Sequence, residues 1–125
     1  MHNKIKVLLL DDEPIVAERV KSSLELDHFQ VEACISGMDA ITHLKKNKYD
    51  ILVTDLKMGS PDGMEVLKIA GKIQPEIKTV VITGFATIKT AEEVRKSGAV
   101  EFIAKPFKIS QLKKILNRIS GVVEE

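Results

Sequence analysis

The sequence predicts an α/β domain in which one parallel sheet carries helices on both faces. Three observations predict it. Five short apolar or β-branched runs (Ile5–Leu10, 31–35, 51–53, 79–82 and 102–104) recur along the chain without polar alternation, and the first, third and fourth have the habit of strands covered on both faces. Between them the apolar residues repeat at every third or fourth position, which lets a helix bury one stripe on a sheet. The order is therefore βα five times over, and right-handed crossovers turn that order into a single parallel sheet.

The elements follow in turn. After the first run, Pro14 suits the first turn of a helix whose stripe is Ala17, Val20 and Leu24. After the second, Ser36 with Asp39 three residues on forms a capping arrangement for a helix that buries Ala40, Ile41 and Leu44. The third run leads to a helix on Met64, Val66, Leu67 and Ala70, the fourth to one on Ala91 and Val94. The last helix carries Ile109, Leu112, Ile115, Leu116 and Ile119. Gly71, Gly98 and Gly121 stand where helices would stop, Gly98 most clearly. Beyond the βα unit itself there is no internal repeat, linker or low-complexity stretch.

At 125 residues the chain fits one domain, 1–125, with a core over about 4–120. Its 44% apolar and 30% charged composition is that of a globular protein. Nineteen basic against 18 acidic side chains leave a net charge of +1, too small a field to draw nucleic acid or a membrane. Lys113, Lys114 and Arg118 cluster near the end, on the solvated face of the last helix. The longest apolar run, residues 7–10, is far too short for a bilayer, and strand-like residues begin too early for a signal peptide. Cys34 is the only cysteine, which excludes an internal disulfide and reads as a buried structural thiol. A cytoplasmic location is expected.

In such sheets ligands bind beyond the carboxyl ends of the strands, at the switch point in strand order. Polar groups stand there in this chain: Asp11, Asp12 and Glu13 after KVLLL, Asp55 after ILVT, Thr83 after VVI, and Lys105 after EFIA. Two carboxylates about 5 Å apart repel by about 3 kcal/mol at an effective dielectric of about 20. Three held close therefore ask for a cation. Oxygen donors without His or Cys favour a hard ion that keeps its waters, Mg²⁺ over zinc. A metal, an ammonium and a hydroxyl beside one aspartate can stabilise charge on a transferring phosphoryl group. Asp55 would be the nucleophile, because a carboxylate can form an acyl phosphate. Taken singly, an Asp after a strand is usually a cap, a Lys-Pro pair a loop, and Thr83 a strand end. Their combination at one edge is what argues for a site.

The stretches LLLDDEP, ILVTDLKM, DGMEVL, VVITGFAT and EFIAKPF resemble the CheY-like receiver domain of two-component response regulators, from about Lys4 to about Ser120. The resemblance implies a flavodoxin-like (βα)5 sandwich with strand order 2-1-3-4-5. It implies Asp55 as the phosphorylated aspartate. Mg²⁺ would be held by Asp12, Asp55 and the backbone carbonyl of Lys57, with Asp11 acting through water, and Glu13 only flanking the site. Thr83 and Lys105 would contact the phosphoryl group, and Phe102 would be the switch aromatic that turns inward when Thr83 moves. The Lys105–Pro106 bond is usually cis in the family. Receivers commonly carry Pro directly after the Met of DLKM, whereas Gly59 stands here and the proline comes at Pro61, so a differently shaped loop is expected. With Phe at the switch position, the inward state rests on packing alone. Lys57 and Gly84 flank the site and should tune the lifetime of the phosphate.

The implied function is a phosphorylation-dependent signalling switch rather than an enzyme. A sensor histidine kinase or phosphotransfer protein would donate the phosphoryl group. The surface of the fourth helix, fifth strand and fifth helix would then control an output domain or downstream protein, with phosphorylation-dependent homodimerisation as a further expectation. The stretch GFATIKTAEEVRKSGAVEFIAKPF looks especially like receivers of NtrC-type transcriptional activators. Other classes fit less well. A flavodoxin-type electron carrier needs phosphate-binding hydroxyls in its first loop, where this chain has three acids. An aspartate-nucleophile phosphatase or nuclease-like metal domain wants a second acid two residues after the first, where Lys57 stands. A phosphohistidine protein is disfavoured because His2, His28 and His43 read as surface residues without an adjacent acid. A receiver that has lost phosphorylation is disfavoured by the intact set of five site residues.

Overall fold

In the computed structural model, residues 4–56, 61–84 and 86–121 are described. Five strands and five helices alternate: β1 (Ile5–Leu10), α1 (Pro14–Glu25), β2 (Phe29–Cys34), α2 (Gly37–Lys46), β3 (Ile51–Asp55), α3 (Gly63–Ile73), β4 (Lys78–Thr83), α4 (Ile88–Lys96), β5 (Glu101–Ala104) and α5 (Ile109–Ser120). The strands form one parallel sheet in the order β2-β1-β3-β4-β5. This is the flavodoxin-like sandwich expected from the sequence.

Strand parity divides the core. Val7 and Leu9 of β1 join Val20, Leu24, Phe29, Val53, Leu112 and Leu116 on the face covered by α1 and α5. Leu8 and Leu10 join Ala40, Leu44, Leu52, Val66 and Ala70 on the face covered by α2 and α3. β1, β3 and β4 are buried almost throughout, which explains their lack of alternation. A third, smaller cluster of Leu67, Val81, Val94 and Ala99 lies beside α3 and α4, with Leu56, Met64 and Phe102 half-buried against it.

The local signals mostly act as expected. Pro14 opens α1, and the Ser36 hydroxyl accepts the Asp39 N–H at the start of α2. Gly98 at φ +110° and Gly121 at φ +78° adopt the left-handed conformation just past α4 and α5, where a side chain would be strained. Gly71 departs from expectation: α3 runs through it to Ile73, because Ile73 packs against the α2/α3 core. Ile35 falls outside β2 and is half exposed.

Two histidines also correct the sequence reading. His28 is partly buried and its Nε2 donates to Asn117 Oδ1 at 2.6 Å, tying the α1–β2 turn to α5. His43 has an acid nearby, with Nδ1 3.7 Å from Glu32 Oε1 across α2 and β2. His2 lies outside the described residues. Gln74, which the sequence did not single out, ends α3 and fastens it to α2. Its Nε2 donates to the carbonyls of Leu44 (2.8 Å) and Asn47 (2.6 Å), and its Oε1 accepts the Tyr49 N–H at 2.9 Å.

Cys34 is 2% exposed at the end of β2. Burial, and then the charges of Asp39 and Glu32, push its thiol up to about 12. Because the thiolate is the reactive form, a disulfide reagent at about pH 8 should leave Cys34 untouched in the folded protein and titrate one thiol after unfolding in urea.

Candidate functional site

Parallel pairing brings the carboxyl ends of β1, β3, β4 and β5 to one edge, and there Asp11, Asp55 and Lys105 of the side chains singled out from the sequence meet. β1 runs straight into Asp11, which is 6% exposed and whose N–H donates to the Cys34 carbonyl at 3.1 Å. Asp11 Oδ1 accepts the Glu13 N–H at 2.9 Å, fixing the turn into α1. Asp12 and Glu13 are exposed. One carboxylate oxygen from each of Asp11, Asp12 and Glu13 can lie within 4.8 Å of the others. Glu13, expected only to flank the site, is therefore part of the acidic cluster.

Asp55 ends β3, partly buried. Its carbonyl accepts the Thr54 hydroxyl at 2.9 Å, and its Oδ2 receives Lys105 Nζ at 2.6 Å. The same ammonium stands 3.7 Å from Asp11 Oδ2. Lys105 follows β5, and its N–H donates to the Thr83 carbonyl at 2.9 Å. Thr83 is fully buried at the end of β4. Phe102 pairs with Val81 in register and rests half-buried on the third cluster. The Lys105–Pro106 bond is cis. Lys57, whose carbonyl was expected to bind metal, and Gly59 lie outside the described residues.

One feature, the packing of Gly63, needed the fold to be seen. Gly63, the first residue of α3, lies against β3 so closely that a Cβ would fall on the Asp55 carbonyl oxygen, 2.9 Å from Leu56 Cα. Its N–H donates to the Leu56 carbonyl at 3.2 Å. The sequence motif DGMEVL contains this glycine, yet nothing in its spacing reveals what it touches.

The electrostatics follow from burial and charge. Burial raises the Asp11 carboxyl above its ordinary 3.8; the Glu13 N–H and the Lys105 charge oppose that, and the Asp55 and Glu13 charges add to it. Burial alone would lower the Lys105 ammonium, but the hydrogen bond with Asp55 and the charges of Asp11, Asp55 and Glu13 outweigh it and hold it above 10.5. Among the described residues, Lys105 is thus the cation paired with the acids at this edge. The all-carboxylate donor set of the cluster suits a hard divalent cation.

Residues 7–117 match the family model of the response regulator receiver domain. The chain belongs to that family: it is a receiver domain of a two-component response regulator. It is 27% identical over 118 residues to the transcriptional regulatory protein ZraR of Salmonella typhimurium, covering 94% of this chain and 27% of that protein. It is 32% identical over 114 residues to the transcriptional regulatory protein FixJ of Rhizobium meliloti, covering 91% and 56%. The chain therefore spans about a quarter to a half of these relatives' length. The receiver domain of the Francisella response regulator 1452 superposes with a TM-score of 0.89 at 27% identity, over 94% of this chain and 98% of that one.

A stability prediction follows from Asp11. Its folded carboxyl holds a proton more tightly than the unfolded one, so its contribution to stability is greatest below pH 3.8 and is lost as pH rises through the folded-state value. Asp11→Asn should stabilise the metal-free protein at neutral pH by about 1 kcal/mol in urea unfolding, and the gain should vanish in acid.

Proposed function

We propose that this receiver takes a phosphoryl group onto Asp55 from the phosphohistidine of a sensor kinase or phosphotransfer protein. The observation that carries the reading is Lys105 Nζ, 2.6 Å from Asp55 and 3.7 Å from Asp11, beside a cluster of acids. A carboxylate that is held by an ammonium and lies partly open at a sheet edge can be approached in line. An Asp55 oxygen attacks phosphorus as the phosphorus–nitrogen bond breaks, and the imidazole leaves with that electron pair. Asp12 and Asp55 would hold Mg²⁺, together with the Lys57 carbonyl and with Asp11 through water, and Glu13 is close enough to take part. When bound, Mg²⁺ supplies charge neutralisation to the phosphoryl oxygens. Lys105 stays paired with the new phosphate, and the Thr83 hydroxyl turns to hydrogen-bond it.

The switch then runs through backbone already tied together, since the Lys105 N–H bonds the Thr83 carbonyl. Movement of Thr83 opens space for Phe102 to turn inward and biases the face of α4, β5 and α5. That face is suited to change: α4 buries only Val94 and leaves Ile88 82% exposed, with Val100 49% exposed after it. Few buried contacts mean a low cost of local rearrangement. The output is a further domain or partner protein, of the transcriptional kind by analogy with ZraR and FixJ.

Incubated with Mg²⁺ and acetyl phosphate, the protein should gain one phosphoryl group by intact mass and Asp55→Asn none; an unmodified parent or a modified variant overturns the assignment. Lys105→Ala should keep most Mg²⁺ binding but uncouple phosphorylation from the change at the α4-β5-α5 face, seen as loss of the amide shift changes there. Light scattering with beryllofluoride should show a dimer that is absent without it.

A further inference from the structure

Asp55 is supported from α3 by Gly63, and the other described end of the β3–α3 connection has a support of its own. Gly37, the first residue of α2, is buried. A Cβ on it would fall on the Pro61 carbonyl oxygen, 2.8 Å from Pro61 Cγ and 3.1 Å from its carbonyl carbon. Both helices thus begin with a glycine pressed on a backbone carbonyl, α3 on that of Asp55 at the end of β3 and α2 on that of Pro61 in the connection that follows. Helix N-termini carry partial positive charge, so each contact is favourable as well as close.

We infer that Gly37 is a positioning residue for phosphoryl transfer: its missing Cβ lets α2 seat against Pro61 and so holds Asp55 at its working place. The inference rests on the phosphoryl-transfer reading above. Displacement at Pro61 has a short route to Asp55. Asp62 caps α3 with its side chain on the Glu65 N–H at 2.9 Å, Gly63 follows, and its N–H and Cα lie against Leu56 and Asp55. Retreat of α2 is blocked instead. Ala40 and Leu44 are 0% and 2% exposed in the core, and Gln74 fastens the end of α2 to α3. A methyl group at position 37 must therefore move the Pro61 backbone, which has no flexible side-chain tip to yield. Proline's fixed φ limits how its carbonyl can swing aside.

The test compares acetyl phosphate labelling rates at saturating Mg²⁺ for the parent, Gly37→Ala, Gly71→Ala and Gly37→Ala with Pro61→Gly. Gly71 is exposed on α3 with open space around it, so Gly71→Ala should label at the parent rate. Gly37→Ala should label about ten- to hundredfold more slowly, with a far-ultraviolet spectrum like the parent's. Pro61→Gly removes Cγ and frees the carbonyl to turn, so the double variant should recover most of the rate, which a general loss of stability would not allow. A Gly37→Ala protein labelled at the parent rate overturns the inference, as does a slowed one that Pro61→Gly fails to restore. If Gly37→Ala does not fold, the double variant must fold and label; its failure to do so also overturns it. A parent that takes no phosphate overturns the phosphoryl-transfer reading itself.

Discussion

The ion pair between Lys105 and Asp55, with Asp11 just beyond it, is the constraint on which the site depends. Carboxylates gathered at one sheet edge repel, and burial of Asp11 adds a desolvation cost. One ammonium, 2.6 Å from Asp55 and 3.7 Å from Asp11, offsets much of that. Nothing local in the chain could bring these groups together, since Lys105 lies fifty residues from Asp55. Parallel pairing does so: β1, β3, β4 and β5 all point their carboxyl ends the same way, and each delivers polar groups as it leaves the sheet, three acids from β1 and one group from each of the others. The buried strand bodies supply the stability that lets their ends carry charge.

Rigidity is unevenly spread, and the distribution matches the proposed switch. Around Asp55 the backbone is over-determined: Thr54 bonds its carbonyl, Gly63 lies against it, and α3 is held to α2 by Gln74. On the other side, α4 buries a single residue and Phe102 remains half-buried. A fixed acceptor beside a lightly anchored helix allows a charge change at one to be expressed as motion of the other.

Much of this was legible in the sequence. Runs without alternation located the covered strands, and the residues that end them located the site, because in a parallel sheet strand ends and ligand site coincide. The family motifs then supplied the separate roles proposed for them. What stayed hidden depends on contacts across the fold. The Asp55 carbonyl against Gly63 and the Pro61 carbonyl against Gly37 leave no periodic trace, and neither do the Gln74 clasp or the His28–Asn117 bond, which spans 89 residues. Gly71 shows the reverse error, a local stop signal overridden as the partly buried Ile73 packs against the α2/α3 core. Strand counting grouped Glu13 with the acids and the family resemblance reduced it to a flank; the turn in which Asp11 accepts the Glu13 N–H keeps it in the cluster.

A crystal structure of the protein with Mg²⁺ and beryllofluoride bears most directly on the central claim that Lys105 and Asp55 form the working pair. The expected result is the fluoroberyllate on an Asp55 oxygen, Lys105 Nζ and the Thr83 hydroxyl on its fluorides, and Phe102 turned inward. Beryllofluoride bound away from Asp55, or bound there without contact to Lys105, would contradict it.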